Sequence, residues 1–379
     1  MSGPIHNITI EGFKSIRRLQ NFELNKELNI LVGANGAGKS NFVEFFHLLH
    51  EMVEQRMVAT IRKKGGADAH LFLGPKETSQ INSQILFGWN GYEFSLEPTI
   101  DNSFIFGYER MYFDGAYGEE SFNLGSGHEE AKLSQMYADE DDSSLKTRVA
   151  RHVYPAVSSW VVYHFHDTSD TAPMLRPYTM RDNERLRSNG ANLASILWHL
   201  KQKEPVIYEL IRDTIRLVAP FFNDFLLRPR PSNGDLVLLL EWTQKDSDYP
   251  FHPSQLSDGT LRFMALTTAL LQPNPPTTIL LDEPELGLHP YALGILAGLM
   301  KQAVKRPQKS RRTQLIVATQ SATLLDAFMP EDIIVVDRKN GESRFRHLTE
   351  NELSIWLDEE YTLGELWQKN IYGGTPAYE

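Results

Sequence analysis

The 379-residue sequence predicts an α/β fold in which helices flank a mixed β-sheet, with an antiparallel β region and a small helical insert. Three patterns predict this fold. Short apolar runs suited to buried strands adjoin helical repeats within 28–49 and 256–282, and a further apolar run spans 314–319. Alternation of polar and apolar residues from 84 to 113 is typical of antiparallel strands. Two adjacent helical repeats within 191–218 indicate the insert.

The first two strands are expected at 8–10 and 22–24, and a third leads into the segment Gly33–Ser40. This segment has the spacing G-x-x-x-x-G-K-S and precedes an apolar face of helical period. Its glycines let the backbone approach a polyphosphate, and amides of the loop and helix N-terminus point at phosphate oxygens. Lys39 is expected to bridge the terminal phosphates, and Ser40 to bind Mg²⁺. A phosphate-binding loop is therefore favoured over a plain glycine-rich turn.

The helix after this loop is expected to run to about Met57, and residues 58–80, which contain glycine breakers, are expected to be irregular. The dipeptide Asn90-Gly91 predicts a hairpin turn within the alternating region. Antiparallel strands are expected at 85–87, 92–96 and 104–108.

Residues 114–142 carry nine acidic side chains and one lysine. The acids have no regular spacing, so we expect a mobile surface loop rather than a metal site. A strand is expected at 160–166, where His164 and His166 would share one face beside Asp167. Such a trio can bind a metal, but ordinary hydrogen bonding is the favoured interpretation.

Composition bounds the class of protein. The length exceeds a typical single domain, so one large domain with an insertion or two domains are expected. The sequence has no cysteine, which excludes disulfides and thiolate sites. No apolar run is long enough for a membrane span and no signal peptide is visible, so a cytoplasmic protein without membrane contact is expected.

The net charge of −11 argues against non-specific nucleic-acid binding by the whole surface. Local basic segments occur at Lys301–Arg312 and at 62–64. For both, a solvated helix end or loop is an equally good interpretation.

Two further motifs lie in the second half of the chain. Leu256–Thr260 precedes a helical repeat, so its serine and glycine would lie at a helix N-terminus. The apolar run 278–281 ends in Asp282 and Glu283, and adjacent carboxylates at the end of a buried strand indicate a metal-and-base pair. A buried strand at 314–319 ends at Gln320. Other strands are expected at 236–242, after an Asn233-Gly234 turn, and at 333–336.

In this order, the motifs resemble the ATP-binding-cassette class of ATPases, and most closely the soluble branch that includes RecF, the SMC proteins and the OLD-type ATPases. Gly33–Ser40 corresponds to Walker A, Leu256–Thr260 to the signature loop, and 279–282 to Walker B, with Gln320 at the switch position. The residues at 256–262, 282–290 and 363–367 resemble those of a family of small predicted RecF-like AAA ATPases. This resemblance covers nearly the whole chain. It is specific for ATP binding and unspecific for the biological process.

The resemblance implies ATP and Mg²⁺ as ligands, and an ABC-ATPase head as the fold. Glu283 would polarise the attacking water, with Lys39 and Gln320 also taking part in catalysis. Ser40 and Asp282 would hold the metal. The nucleotide-binding residues would be Asn35, Gly36, Ala37, Gly38, Lys39, Ser40 and Asn41, with Ser257 and Gly259 of a second copy. Gln80 and Gln84 are alternatives for the Q-loop glutamine, and Lys14 is expected near the nucleotide.

Two departures from the family pattern lead us to expect slow hydrolysis. Asp258 replaces one glycine of the usual signature pair and adds negative charge near ATP. Gln320 stands where a histidine usually contacts the γ-phosphate, and glutamine cannot become cationic.

The domain division expected is 1–185 and 233–379 for the two parts of the head, with 186–232 as the helical insert. An ATP-dependent homodimer or larger assembly is expected. The favoured function is a sensor or scaffold that controls an effector nuclease or toxin in bacterial antiviral defence. The alternative is a DNA-binding ATPase of DNA repair or chromosome maintenance. The residues of the signature loop disfavour a transporter subunit.

Overall fold

A computed structural model describes residues 3–115, 118–139, 142–232, 234–305, 313–358 and 360–374. The strands are β1 (Ile5–Phe13), β2 (Ile16–Glu23), β3 (Leu28–Val32), β4 (Ile81–Phe87), β5 (Asn90–Pro98), β6 (Phe104–Gly115), β7 (Gly118–Gly125), β8 (Trp160–Tyr163), β9 (Tyr178–Thr179), β10 (Phe222–Phe225), β11 (Arg230–Ser232), β12 (Asp235–Leu238), β13 (Trp242–Gln244), β14 (Thr278–Asp282), β15 (Gln314–Thr319), β16 (Ile333–Lys339) and β17 (Glu342–His347). The helices are α1 (Lys39–Val53), α2 (Met57–Lys63), α3 (Leu133–Ala138), α4 (Leu145–Val157), α5 (Leu193–Lys203), α6 (Pro205–Val218), α7 (Asp258–Leu271), α8 (Pro290–Lys305), α9 (Ala322–Leu325), α10 (Glu350–Asp358) and α11 (Leu363–Gln368).

The sheet that positions the site has the strand order β17-β16-β3-β15-β14-β8. Its strands are parallel except for β17, which is an antiparallel edge. β3, β14 and β15 are buried along their whole length, as apolar strands covered on both faces should be. Carboxyl ends of parallel strands meet at one edge, so this edge carries the segments that follow β3, β8, β14 and β15.

The second large sheet is antiparallel throughout, with the order β2-β1-β4-β5-β6-β7. It packs with α1, α4 and one face of the parallel sheet into a single hydrophobic cluster. Helices α5, α7 and α8 pack against the other face. The predicted α/β class, with a mixed sheet and an antiparallel β region, is confirmed.

The two helices predicted within 191–218 are confirmed as α5 and α6. Short strands flank them, in the small sheets β11-β12-β9 and β10-β13. The single strand predicted at 236–242 is wrong, because a tight turn in which the Glu241 amide donates to Leu239 O (2.8 Å) separates β12 from β13. Asn233 of the predicted turn lies outside the described residues.

The first helix ends earlier than predicted, at Val53, and Gln55 follows with φ of +58°. Residues 58–63, predicted to be irregular, belong to α2, which begins at Met57. The carboxylate of Glu130 accepts hydrogen bonds from the amides of Met57 and Val58, both at 2.9 Å, and so caps this helix from a distant segment. A local sequence pattern does not reveal such a cap.

The predicted hairpin turn at Asn90-Gly91 is also wrong, since Phe87 pairs with Asn90 and the turn is Gly88-Trp89. Gly88 has φ of +56°. Gly91 belongs to β5, where a Cβ would lie 2.7 Å from Leu86 Cδ2. The glycine there serves close packing rather than a turn.

The acidic segment 114–142 was predicted to be a mobile loop, but its described residues include β7 and α3. β7 pairs with β6 as an edge strand and exposes Glu119 and Glu120. Charged side chains are typical of protected sheet edges, so Glu119 and Glu120 mark β7 as an edge strand.

Candidate active site

The segment Gly33–Ser40 connects β3 to α1, as the motif requires. Gly36 and Gly38 have φ of +78° and +114°, which side chains rarely allow. A Cβ on Gly33 would lie 2.2 Å from Val336 O, and one on Gly38 would lie 1.9 Å from Ser343 Oγ. The loop therefore rests directly on β16 and β17.

Lys39 is buried under this loop and holds its shape. Its Nζ donates to Gly33 O at 2.6 Å and to Ala34 O at 3.0 Å. Burial lowers the pKa of Lys39, and nearby carboxylates, with Glu283 foremost, oppose that shift. Asn35, Gly36 and Ser40 are exposed. The crest of the loop is thus open to a ligand while the ammonium group lies beneath it.

Asp282 ends β14 at the same edge of the sheet. Ser40 Oγ lies 3.3 Å from its Oδ1, so the two predicted metal ligands are adjacent. Burial raises the pKa of Asp282, and the charge of neighbouring Glu283 raises it further. A buried carboxylate beside a half-buried one creates a strong preference for a cation.

Glu283 and Gln320 are brought together, since Gln320 Nε2 donates to Glu283 Oε1. Glu283 has φ of +44°, a conformation that costs about 1–3 kcal/mol in a non-glycine residue. Its amide donates to Ala318 O at 2.8 Å, which fixes the residue against the end of β15. The hydrogen bond from Gln320 holds the direction of the carboxylate.

The signature loop lies at the start of α7. Ser257 is the N-cap, and its Oγ accepts a hydrogen bond from the Thr260 amide at 3.2 Å. Ser257 and Asp258 are exposed, whereas Gly259 is packed so closely that a Cβ would lie 2.1 Å from Gly287 O. The hydrogen bonds of Ser257 stay within its own turn and do not join it to Lys39 or Ser40.

Arg262 ties the signature helix to two neighbouring segments. Its guanidinium donates to Phe165 O at 3.0 Å, to His166 O at 2.9 Å and to Leu286 O at 3.0 Å. The sequence alone predicts no role for this arginine.

The strand predicted at 160–166 is shorter, because β8 ends at Tyr163. His166 Nε2 lies 2.8 Å from Asp282 O, and Asp167 accepts from Ser169. Within the described ranges, no group of three or more His, Cys, Asp or Glu side chains is placed to hold a metal ion.

Lys14 forms an ion pair with Glu44 on α1, and Lys64 Nζ lies 3.0 Å from the same carboxylate. Burial raises the pKa of Glu44, but the hydrogen bonds and charges of the two lysines outweigh it and lower this pKa to about 2. Gln80 donates to Asn82 at 3.2 Å, and Gln84 lies within β4. Neither glutamine hydrogen bonds to the phosphate loop.

Two serines from opposite ends of the chain support the loop, and sequence reasoning missed both. Ser15 Oγ and Ser343 Oγ are 2.6 Å apart and buried. Ser343 Oγ donates to Ala37 O at 2.5 Å, and Asn41 Nδ2 donates to Ser15 Oγ at 2.6 Å. Serines carry no periodic signal, so only the fold reveals this pair.

Arg338 of β16 was missed as well. Its Nη1 donates to Gly36 O at 3.0 Å, which brings a guanidinium to the exposed crest of the loop. Together with Lys39 and the amino end of α1, it makes this edge attractive to a polyphosphate. The glycine contacts, the buried lysine and the Ser40–Asp282 pair fit a nucleotide with a divalent cation.

Comparison with known proteins gives the family. Residues 28–326 match the family model described as "AAA domain, putative AbiEii toxin, Type IV TA system". The chain belongs to this AAA family. The matched range begins at β3 and extends past Gln320, so it contains every motif of the site. The predicted resemblance to AAA ATPases, and with it nucleotide binding as the class of activity, is confirmed.

Solved structures show the fold of this AAA protein. An SMC head bound to the C-winged helix domain of ScpA aligns with a TM-score of 0.53 at 16% identity, over 93% of this chain and 99% of that chain. An SMC head with an extended coiled coil, bound to the C-terminal domain of ScpA derived from Pyrococcus furiosus, aligns with a TM-score of 0.53 at 14% identity, over 95% and 100% of the two chains.

The predicted ATPase-head fold is therefore confirmed. No curated protein matches the sequence of this AAA protein. Across the described residues, every helix is too short or too polar to cross a bilayer.

Proposed function

We propose that this AAA protein binds ATP with Mg²⁺, hydrolyses it slowly to ADP and phosphate, and uses the bound nucleotide to join two copies of the chain. One observation carries the proposal: the buried ammonium of Lys39, the Ser40–Asp282 pair and Glu283 meet at the carboxyl edge of one parallel sheet. These are the groups that phosphoryl transfer to water requires.

The proposed roles follow from the positions of the groups. Lys39 and the loop amides bind the β- and γ-phosphates, and Ser40 and Asp282 hold Mg²⁺, which neutralises charge on phosphate oxygens. Glu283 accepts a proton from the water that attacks the γ-phosphorus. The bond between the γ-phosphorus and the oxygen that bridges the β- and γ-phosphates then breaks, which releases ADP. Gln320 orients Glu283. The remaining residues proposed to contact the nucleotide are Asn35, Gly36, Ala37, Gly38 and Asn41.

Ser257 and Gly259 are proposed to contact the nucleotide of a second copy. The exposed N-terminus of α7, with Ser257 as its cap, is a suitable anion site for a γ-phosphate presented from outside. ATP then contributes contacts that ADP lacks, which is what a nucleotide-dependent dimer needs. We retain the division into head parts 1–185 and 233–379 with the insert at 186–232 as part of this proposal.

The biological role proposed is control of a partner effector, a nuclease or toxin, in bacterial antiviral defence. Two observations support it. The matched family is described as "AAA domain, putative AbiEii toxin, Type IV TA system", which favours a role within a toxin–antitoxin system. The protein also has a net charge of −11 and an acidic exposed edge at β7, which favour a protein partner with a basic surface.

The alternative, direct action on DNA, depends on the basic segment Lys301–Arg312. Residues 306–312 of that segment lie outside the described residues. Lys301 lies over the ring of Phe328, with Nζ 5.7 Å from its centroid. The test of the proposed function therefore includes a measurement with duplex DNA.

The test is ATP turnover by the full chain, with and without linear duplex DNA, for the wild type and Glu283→Gln. We expect turnover that DNA leaves unchanged, and a loss of at least about 100-fold in the variant, because a general base contributes that much. Glu209→Gln, an exposed site on α6, is the matched control and should equal the wild type. Stimulation by DNA would favour the alternative, and equal turnover by Glu283→Gln would refute the catalytic assignment.

A further inference from the structure

A third carboxylate lies beside the proposed catalytic pair. Glu285 follows Glu283 by two residues, and its Oε1 accepts two hydrogen bonds from the end of β15. The donors are Thr319 Oγ1 at 2.8 Å and the backbone amide of Gln320 at 2.7 Å. Its Oε2 is buried and has no hydrogen-bond partner among the described residues. The proposed mechanism does not use this side chain.

These contacts hold Gln320 at both ends. Glu285 fixes its backbone amide, and its side-chain amide donates to Glu283 Oε1. The direction of a side-chain donor depends on how firmly the backbone of the same residue is held. The path from Glu285 through Gln320 to Glu283 is therefore a continuous set of hydrogen bonds, and each member limits the orientation of the next.

A carboxylate at this position disfavours folding, so a purely structural role does not explain it. Burial raises the pKa of Glu285, and the charge of Glu283 acts in the same direction, so the ionised form is disfavoured. Asp282 and Glu283 already place two negative charges nearby. Removal of the negative charge of Glu285 should leave the free energy of unfolding unchanged or raise it. Such a gain is common when a residue serves activity at the expense of stability.

We propose that Glu285 is a positioning residue for ATP hydrolysis, which fixes Gln320 and through it orients the carboxylate of Glu283. This inference rests on the proposed function. What matters is a hydrogen-bond acceptor at the reach of a glutamate, rather than a negative charge. Two substitutions separate these properties. Glu285→Gln keeps the reach and an acceptor oxygen but loses the charge, whereas Glu285→Asp keeps the charge but is one methylene shorter.

The experiment measures kcat, KM and ATP affinity for the wild type and these two variants. We expect Glu285→Asp to lose at least about tenfold in kcat with KM and affinity within threefold, since small misplacement of a catalytic group lowers rate rather than binding. Glu285→Gln should stay within threefold of the wild type in kcat and melt at an equal or higher temperature. A readout other than activity is the molar mass with ATP, where Glu285→Asp should remain dimeric longer than the wild type.

The path through Gln320 is tested by a double-mutant cycle. If Glu285 acts through Gln320, Glu285→Asp adds less than a twofold loss in kcat to a Gln320→Ala chain. A full tenfold loss in that background overturns the inference, as does wild-type kcat in Glu285→Asp or an equally impaired Glu285→Gln. A wild type without turnover overturns the proposed function itself, so the two failures are distinct.

Discussion

Gly38 of the phosphate loop is the position where one added methyl group should be most damaging. In Gly38→Ala the new Cβ would lie 1.9 Å from Ser343 Oγ and 2.8 Å from Ser15 Oγ. Both hydroxyls are buried and hydrogen bonded to each other, and Ser343 is also bonded to Ala37 O, so neither can rotate away freely. The methyl group must therefore displace the loop.

The size of the effect follows from two costs. A φ of +114° disfavours alanine by about 1–2 kcal/mol, and forced overpacking costs about 1–3 kcal/mol more. The loop can avoid both only by leaving the conformation that binds phosphate. Since each 1.4 kcal/mol is a tenfold change, ATP affinity should fall at least about 30-fold.

Gly118→Ala is the matched control, because Gly118 has a similar φ of +109° and open space around its Cβ position. Calorimetric titration with ATP, alongside thermal melting, measures both variants. We expect Gly118→Ala to melt lower but bind ATP as the wild type does. ATP affinity within threefold of wild type in Gly38→Ala would refute the steric argument.

Other predictions concern the signature glycine and an ion pair. Gly259→Ala should weaken ATP-dependent dimerisation at least about tenfold while ATP binding is kept, because its Cβ would collide with Gly287 O at 2.1 Å and shift the α7 N-terminus. Gly294→Ala on α8, where a Cβ meets open space, is the control. It should leave dimerisation unchanged and raise the free energy of unfolding by up to about 1 kcal/mol. Equal sedimentation of Gly259→Ala and Gly294→Ala with ATP would contradict the predicted loss of dimerisation. Glu44→Gln should destabilise by about 2 kcal/mol at pH 7, a value reduced for partial exposure, because the lysine partners led by Lys14 lower the pKa of Glu44 from 4.5 to about 2. That contribution is present above about pH 4.5 and is lost as the pH falls towards 2, so the wild-type advantage in urea unfolding should shrink over this window; a constant difference would be inconsistent with it.

The site motifs could be predicted from sequence because each is contiguous. The loop Gly33–Ser40, the acidic end of β14 and Gln320 at the end of β15 have fixed spacing next to apolar strands, and parallel strands bring such ends to one edge. The same local logic predicted α5, α6 and most strands of the antiparallel sheet.

The remaining features depend on partners far away in the chain. Ser15 and Ser343 are 328 residues apart in the sequence, and Glu130 caps α2 from another segment. Arg338 reaches Gly36 O only because β16 pairs beside β3. None of these residues has a distinctive local pattern, so only tertiary structure identifies them.

The measurement that tests the central claim most directly is the molar mass of Glu283→Gln by light scattering, with ATP and Mg²⁺ and then with ADP. Blocked hydrolysis should trap the nucleotide between two copies. We expect twice the 43.3 kDa chain mass with ATP and the single-chain mass with ADP. A single-chain mass under saturating ATP would contradict an ATP-joined dimer as the basis of function.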